Sequence, residues 1–510
     1  MQKVTIIGID GGTWTLLEPW IGAGRLPNLA SIVREGVSAK MESVIPPVTP
    51  PAWTTAFTGA FPGKHNIFSF HTFRDEQRVT TSADRRVPAL WQMASSRGAK
   101  TIVLNVPYTY PPDPINGIMV SGMGSPSLDN VVTYPEAFRD ELVRRDYQID
   151  EVGASPYRIV EMTRKHRELA SHLLDHSAWD LFVVVFIGSD RLQHLYWKYL
   201  DPSHPDYDSR LRKQYEDIFL ALYGHIDAFA GKALAHSDYV FVISDHGFGP
   251  ITKAVSMTKF LQDVGLQRPY HGLERVVKVE LEGRMMDARF RVSRRLPPAL
   301  VPIAKRTWRR FVAHQREAAV QSTSPVGLFG QYWMCLNRGG KEGGTDGPAY
   351  QAERDEVISK LALLRDPESG ARILTKIYRR EEAYHGPYAK NGPDILFETL
   401  EGFSLKRKLT TRLLTHPVGW SGEHRKYGIF MGRGPDLKAG SKLEPLSISD
   451  FLPTVLHLLA WQIPRYCDGK VATAVFKEDS RAGSTPPAYF DSERQRAIER
   501  VAAMKKRSVI

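Results

Sequence analysis

The sequence predicts an α/β fold: a mostly parallel central sheet with helices on both faces, interrupted by an inserted cap region. Three observations carry this. Continuous apolar runs rich in β-branched residues recur along the chain. Longer stretches of helical character separate many of them, and several runs close on an acidic or glycine residue. A strand that is apolar on both sides is buried on both faces, the condition of a parallel sheet between helix layers. In such sheets reactive groups gather beyond the carboxyl ends of the strands.

The strand candidates, in order, are VTIIGID (4–10), KTIVLNVP (100–107), GIMVSGM (117–123), LFVVVFIGSD (181–190), YVFVISDHG (239–247), PDILFE (393–398) and YGIFMG (427–432). Between the fifth strand and its predecessor, residues 204–235 place Tyr207, Leu211, Tyr215, Ile218, Leu222 and Ile226 three or four apart, the spacing of one helix face. ISDFLPTVLHLLA (448–460) reads as a late core helix. The rhythm breaks after residue 254. A basic stretch is followed by the glycine-rich NRGGKEGGTDGP (337–348) and a helix around 350–364. The expected organisation is therefore a core in two parts, 1–254 and 393–476, an insertion or cap at 255–392, and a polar tail at 477–510. A chain of 510 residues exceeds the usual single domain, which agrees with this division.

Composition excludes several classes. With 42% hydrophobic and 24% charged residues the chain is an ordinary globular protein. Cys335 and Cys467 stand far apart, so neither a cysteine-ligated zinc site nor a disulfide framework is indicated, and a reducing compartment is expected. The opening MQKVTIIGIDGG lacks the long apolar segment and cleavage site of a secretory signal. No apolar run approaches the roughly 18 residues that span a bilayer. A cytoplasmic protein is expected.

The net charge of +12 is unevenly placed. Arg284, Arg289, Arg291, Arg294, Arg295, Lys305, Arg306, Arg309, Arg310 and Arg316 face Asp287 alone, with apolar residues such as Phe290, Trp308 and Phe311 interleaved. One reading of 284–316 is peripheral contact with an anionic membrane. The other, more ordinary one is a solvated insertion that packs its apolar side on the domain. The motifs of specific nucleic-acid modules are absent. Nothing in the sequence specifies an oligomeric state.

Five places carry candidate chemistry. Asp10 ends the first strand. Thr49, followed by Pro50 and Pro51, reads as a helix N-cap. A hydroxyl at that point lies by unpaired N–H groups and the positive dipole end, which favours an incoming phosphate or a developing alkoxide. Simple capping is the commoner fate of such a threonine. In SDRLQHLYW, Asp190 and His194 lie four apart and would share one helix face, able to grip one ion. Asp245 and His246 end an apolar strand in SDHG, where packing rarely calls for them. His424, in GEHRKYGIFMG, reads by itself as a loop histidine.

Taken in order, these motifs resemble the alkaline phosphatase superfamily, specifically its type I phosphodiesterase/nucleotide pyrophosphatase branch. The resemblance covers I-D-G near the start, T-x-P with T-G-x-x-P-G-x-H, D-x-x-x-H, S-D-H-G and G-x-H before G-I-F. Later features include NRGGKEGG, EEAYHGPY with PDILFE, and DFLPTVLHLL before Asp468-Gly469. It implies an alkaline-phosphatase-like core and two adjacent divalent ions, one held by Asp190, His194 and His424, the other by Asp10, Asp245, His246 and the Thr49 oxygen. Zn²⁺ suits these nitrogen and carboxylate donors best, with Mn²⁺ or Fe as alternatives. Thr49 would be the nucleophile, and a small-molecule phosphate ester the substrate, cleaved through a phosphothreonine.

There is one departure. The family's phosphoryl-contacting asparagine, five residues after the P-G-x-H histidine, corresponds to Phe70, counting from His65. Lys64, Asn66, the position of Phe70 itself and the backbone N–H groups after Thr49 are the candidate substrate contacts. His65 itself reads as structural. A phosphomonoesterase or phosphotransferase is the alternative within the superfamily. A binding protein without turnover is less favoured, because the ligand set is complete. The threonine disfavours the sulfatase and phosphoglycerate mutase branches. Substrate recognition is expected in the 255–400 region.

Overall fold

The computed structural model describes residues 2–73, 78–267, 325–337, 347–408 and 410–491. The basic stretch 284–316, most of NRGGKEGGTDGP and the end of the polar tail lie outside the described residues.

The described chain divides into two compact units. The first comprises Met1–Pro250, Glu381–Gly392 and Ser421–Ile510 and is built on a ten-stranded sheet. Its strands in chain order begin with β1 (Val4–Ile9), β2 (Val37–Glu42), β3 (Thr101–Val106), β4 (Gly117–Ser121), β5 (Thr133–Tyr134), β6 (Leu181–Phe186) and β7 (Tyr239–Ile243). The strand Tyr427–Arg433 runs antiparallel between β2 and β7. From there the order is β7, β1, β6, β3, β4 and β5, parallel up to β4. The two-residue strands Ser441–Lys442 and Leu446–Ser447 pair with the far side of β2.

Burial on both faces follows from strand alternation. Phe182, Val184 and Phe186 of β6 join the core beneath the helices Trp14–Gly22, Pro27–Glu35, Pro156–His176 and Ser209–His236. Leu181, Val183 and Val185 join the opposite core, beneath Thr49–Thr58, Leu90–Ser96 and Phe451–Leu458. This is the two-sided burial that the continuous apolar runs imply. Among the described helices, Ser209–His236 is long and apolar enough to cross a membrane by length and composition. Its apolar face is spent otherwise: Ile218, Phe219, Leu222, Ile226 and Phe229 are buried in the first core.

The second unit comprises Ile251–Arg380 and Pro393–Trp420. It holds a four-stranded antiparallel sheet ordered Val326–Phe329, Trp333–Leu336, Ile395–Thr399, Leu374–Arg379. A three-stranded sheet has Lys253–Ser256 at its centre. The run PDILFE thus forms a strand, as its apolar content predicts, but in this second sheet rather than in the core. The chain rejoins the first unit at Ser421, and the segment Glu381–Gly392 also belongs there. An apolar run shows that a strand is buried without showing which sheet it joins. The stretch after 477 is not wholly peripheral either, since Tyr489–Phe490 pairs with Ile463–Pro464.

Backbone approach near the strand ends is close enough to demand glycine. A Cβ at Gly247 would lie 1.9 Å from the Tyr427 carbonyl oxygen. That contact joins the segment after β7 to the strand Tyr427–Arg433, and backbone on both sides leaves no flexible atom to yield. Gly247→Ala is expected to destabilise the fold by roughly 2–4 kcal/mol. A thermal melt unchanged from wild type would contradict this account of the approach.

Candidate metal centre

The functional candidates converge at the carboxyl ends of β1, β6 and β7. Asp10 follows β1, and Asp245 and His246 follow β7. Asp190 and His194 sit on the helix Gly188–Tyr196 after β6, one turn apart. His424 lies in the strand Gly422–Arg425, opposite Phe248 of the antiparallel strand Gly247–Pro250. It is therefore a strand residue and not the loop histidine of the local reading. The signal was its partner strand, which no local window contains.

Thr49 also departs from its local reading. Val48 is the N-cap, and Thr49 is the first helical residue. Pro50 and Pro51 have no N–H, and the Ala52 N–H already bonds the Val48 carbonyl at 3.1 Å. A capping hydroxyl at Thr49 would have nothing left to cap. Instead its Oγ1 lies 3.4 Å from His246 Nε2, fully buried. The prolines also remove most of the backbone donors proposed for a phosphoryl oxygen, leaving the N–H of Thr49 itself in that turn.

The three carboxylates are held alike. Asp10 Oδ2 accepts from Trp53 Nε1 at 2.9 Å, Asp190 Oδ2 from Arg191 Nη1 at 3.2 Å, and Asp245 Oδ1 from the Gly11 N–H at 3.0 Å. In each case the other oxygen, Asp10 Oδ1, Asp190 Oδ1 or Asp245 Oδ2, is buried without a hydrogen-bond partner. Each orphan faces a histidine. Asp190 Oδ1 is 3.3 Å from His194 Nε2 and 3.4 Å from His424 Nε2. Asp245 Oδ2 is 3.1 Å and Asp10 Oδ1 3.8 Å from His246 Nε2.

The imidazoles are held alike too. Nδ1 of His194, His424 and His246 lies 3.0, 2.9 and 3.1 Å from the carbonyl oxygens of Gly422, Pro47 and Gly247. A carbonyl only accepts, so each Nδ1 carries the proton and each Nε2 turns a lone pair inward. His194 Nε2 and His424 Nε2 are 3.0 Å apart, and the His246 and His424 rings stack at 3.6 Å. Two lone pairs at that separation repel unless something positive lies between them. Carbonyl-anchored imidazoles and singly tied carboxylates are the outer support that metal ligands receive.

Protonation follows the same crowding. Burial, then the Asp245 and Asp190 carboxylates, push Asp10 well above the usual carboxylate range. At Asp190 burial acts the same way, but His194, His424 and Arg191 outweigh it and hold the group well below that range. Burial would lower His424, yet Asp190 raises it above an ordinary histidine. A divalent ion binding among these groups would displace the protons they carry.

These observations fit two divalent cations. One ligand atom each from Asp190, His194 and His424 lie within 4.8 Å of one another, as do atoms from Asp10, Asp190 and His246. The structure brings all seven predicted residues together. Asp190 is common to both groups, whereas the family resemblance assigns it to one ion only.

The remaining candidates sit elsewhere in the network. Lys64 Nζ is paired with Asp468 at 2.7 Å and with the Tyr466 carbonyl at 2.9 Å. Asn66 donates to the Asp84 carbonyl and accepts from Asn391. Both side chains are committed to loop structure. Phe70 is half-buried with its ring 5.8 Å from that of Tyr108. Two residues outside the candidate set, Trp53 and Arg191, also support the site. Trp53 is buried, as core packing requires, but its indole N–H also orients Asp10. Arg191 neighbours Asp190 in sequence, the one signal available.

His65 is structural. Its Nδ1 accepts from the Ile67 N–H at 3.0 Å and its Nε2 meets Thr55 Oγ1 at 3.0 Å. Burial, followed by the charge of Arg85, lowers it to about 3. Burial also lowers His166 to about 4. Both folded values lie below the unfolded value, so the unfolded chain takes up protons first as pH falls. Stability is therefore lost below about pH 6.5, by about 2 kcal/mol per histidine at pH 5. Melts of wild type and His166→Gln at pH 7 and 5 check this. The variant should lose less on acidification, and an identical loss would contradict the assignment.

Comparison with known proteins bears on this geometry. A family model described as type I phosphodiesterase / nucleotide pyrophosphatase matches residues 4–424. No curated protein matches significantly. Among solved structures, human ectonucleotide pyrophosphatase / phosphodiesterase 5 is similar with a TM-score of 0.49 and 16% identity, covering 90% of this chain and 96% of its own. A murine counterpart, inactive and in complex with AMP, has a TM-score of 0.49 and 13% identity over 91% of this chain and 96% of its own.

Proposed function

The chain belongs to the type I phosphodiesterase/nucleotide pyrophosphatase family, and on that premise we propose that this hydrolase cleaves phosphodiester or pyrophosphate-type bonds through a phosphothreonine at Thr49. The observation that carries the proposal is the Thr49 hydroxyl, released from capping by Pro50 and Pro51 and buried 3.4 Å from His246 Nε2. When bound, two divalent ions, Zn²⁺ by the donor set, supply Lewis acidity that lowers the hydroxyl pKa and neutralises charge on the attacking and leaving oxygens.

The chain's own residues do the rest. The helix Thr49–Thr58 presents Oγ1 from a rigid element. The hydroxyl gives up its proton to solvent, Oγ1 bonds to phosphorus, and the ester oxygen leaves with the bonding electron pair and takes up a proton from solvent. Water then cleaves the phosphothreonine and restores the hydroxyl. Each displacement is in line, so two inversions predict net retention at phosphorus. Trp53, Arg191 and the Gly11 N–H hold the carboxylates, and the carbonyls of Pro47, Gly247 and Gly422 hold the imidazoles, so little reorganisation accompanies the step. A reducing, cytoplasmic setting is part of the proposal, supported by a content of two cysteines, Cys335 and Cys467, far apart in the sequence.

Bis-p-nitrophenyl phosphate and p-nitrophenyl phosphate, assayed in parallel with protein reconstituted with Zn²⁺ or Mn²⁺, test the reading. Preference for the diester is expected. Preference for the monoester would establish a phosphomonoesterase, and inactivity toward both with no metal bound would sink the catalytic reading.

A further inference from the structure

Asp10 and Asp245 are oriented by neutral donors, the Trp53 indole and the Gly11 backbone. Asp190 alone is oriented by a cation, and that cation is itself fixed. Arg191 Nε and Nη2 meet Asp150 Oδ1 and Oδ2 at 2.9 and 2.6 Å, a two-bond pair that locks the guanidinium plane. Nη2 also contacts Met123 Sδ at 2.8 Å. What remains is the Nη1 edge, which donates to Asp190 Oδ2 at 3.2 Å. The pair is not a solvated surface bridge: the Arg191 and Asp150 side chains are only 16% and 17% exposed, and Asp190 only 3%.

We propose that Asp150 and Arg191 act together as positioning residues for the metal centre, holding Asp190 by Oδ2 so that Oδ1 alone faces the ions. The proposal rests on the two-ion reading above and extends it to residues outside the ligand set. A carboxylate free to turn can present both oxygens to one ion. Pinned by Arg191, it turns Oδ1 toward His194 and His424, and the same residue belongs also to the group with Asp10 and His246. Loosening this one side chain therefore weakens binding at both places. Lysine in place of arginine keeps the charge but cannot form the two-bond pair and reach Asp190 in one fixed plane.

The test measures metal affinity directly, by titrating metal-free protein with Zn²⁺ in a calorimeter. Outer-shell partners of this kind contribute about 10–100-fold in affinity. R191M is expected to lower Zn²⁺ affinity at both sites by at least about tenfold, and R191K to restore part of it. Because R191M leaves Asp150 without its partner, R191M/D150N provides a variant with no unpaired buried charge. It should fold and show the same loss. Unchanged affinity in R191M/D150N overturns the inference while leaving the two-ion reading intact. A raised KM with unchanged Zn²⁺ affinity also overturns it, making Arg191 a substrate contact. Failure of the wild type to bind Zn²⁺ would defeat the two-ion reading itself.

Discussion

Thr49→Ala is expected to lower kcat toward a phosphodiester by roughly 10⁴-fold or more, the scale on which enzymes lose rate with their nucleophile, while metal binding is largely kept. The reason lies in how the residue is held. Its hydroxyl caps nothing, because Val48 is the N-cap and the next two residues lack N–H groups. Its removal should therefore leave the helix start intact, and the six charged and imidazole ligands do not depend on it. Thr49→Ser, which keeps the hydroxyl, should retain measurable turnover. Activity in Thr49→Ala comparable to wild type would refute the nucleophile assignment, whereas loss of metal together with activity would show that the oxygen serves chiefly as a ligand.

Asp190→Asn is the second variant with a large expected effect. The substitution is nearly isosteric, yet it removes the charge and one of the two oxygens of a residue that lies within reach of His194 and His424 and belongs also to the group with Asp10 and His246. Both ions should be lost, and turnover should fall to the background. His194→Ala, whose side chain belongs to one group only, should cost one ion. Elemental analysis of the purified variants distinguishes these outcomes. Two ions retained in Asp190→Asn would remove Asp190 from its shared position.

How much of this was legible in the sequence depends on the range of the interaction that decides each feature. The strands of the first sheet are marked by their own residues. Val4–Ile9, Leu181–Phe186 and Tyr239–Ile243 are apolar on both sides because each face meets a helix layer. The residues that end them, Asp10 and the Asp245-His246 pair, stood out for the same reason. PDILFE was legible as a strand but not as a member of the second sheet, since its partners Trp333–Leu336 and Leu374–Arg379 are remote in sequence. His424 needed its partner strand Gly247–Pro250, and Thr49 needed the observation that proline neighbours disable capping. The supporting contacts were least visible. Trp53 to Asp10 spans 43 residues and Arg191 to Asp150 spans 41, distances over which a single sequence carries no local signal.

The central claim is that seven residues form a two-ion site on one hydroxyl. Anomalous diffraction from crystals of the protein reconstituted with Zn²⁺ tests it most directly. The account predicts two peaks about 4 Å apart, one among Asp190, His194 and His424, the other beside Asp10, Asp245, His246 and the Thr49 oxygen. A single peak, or strong peaks only outside these residues, would contradict it.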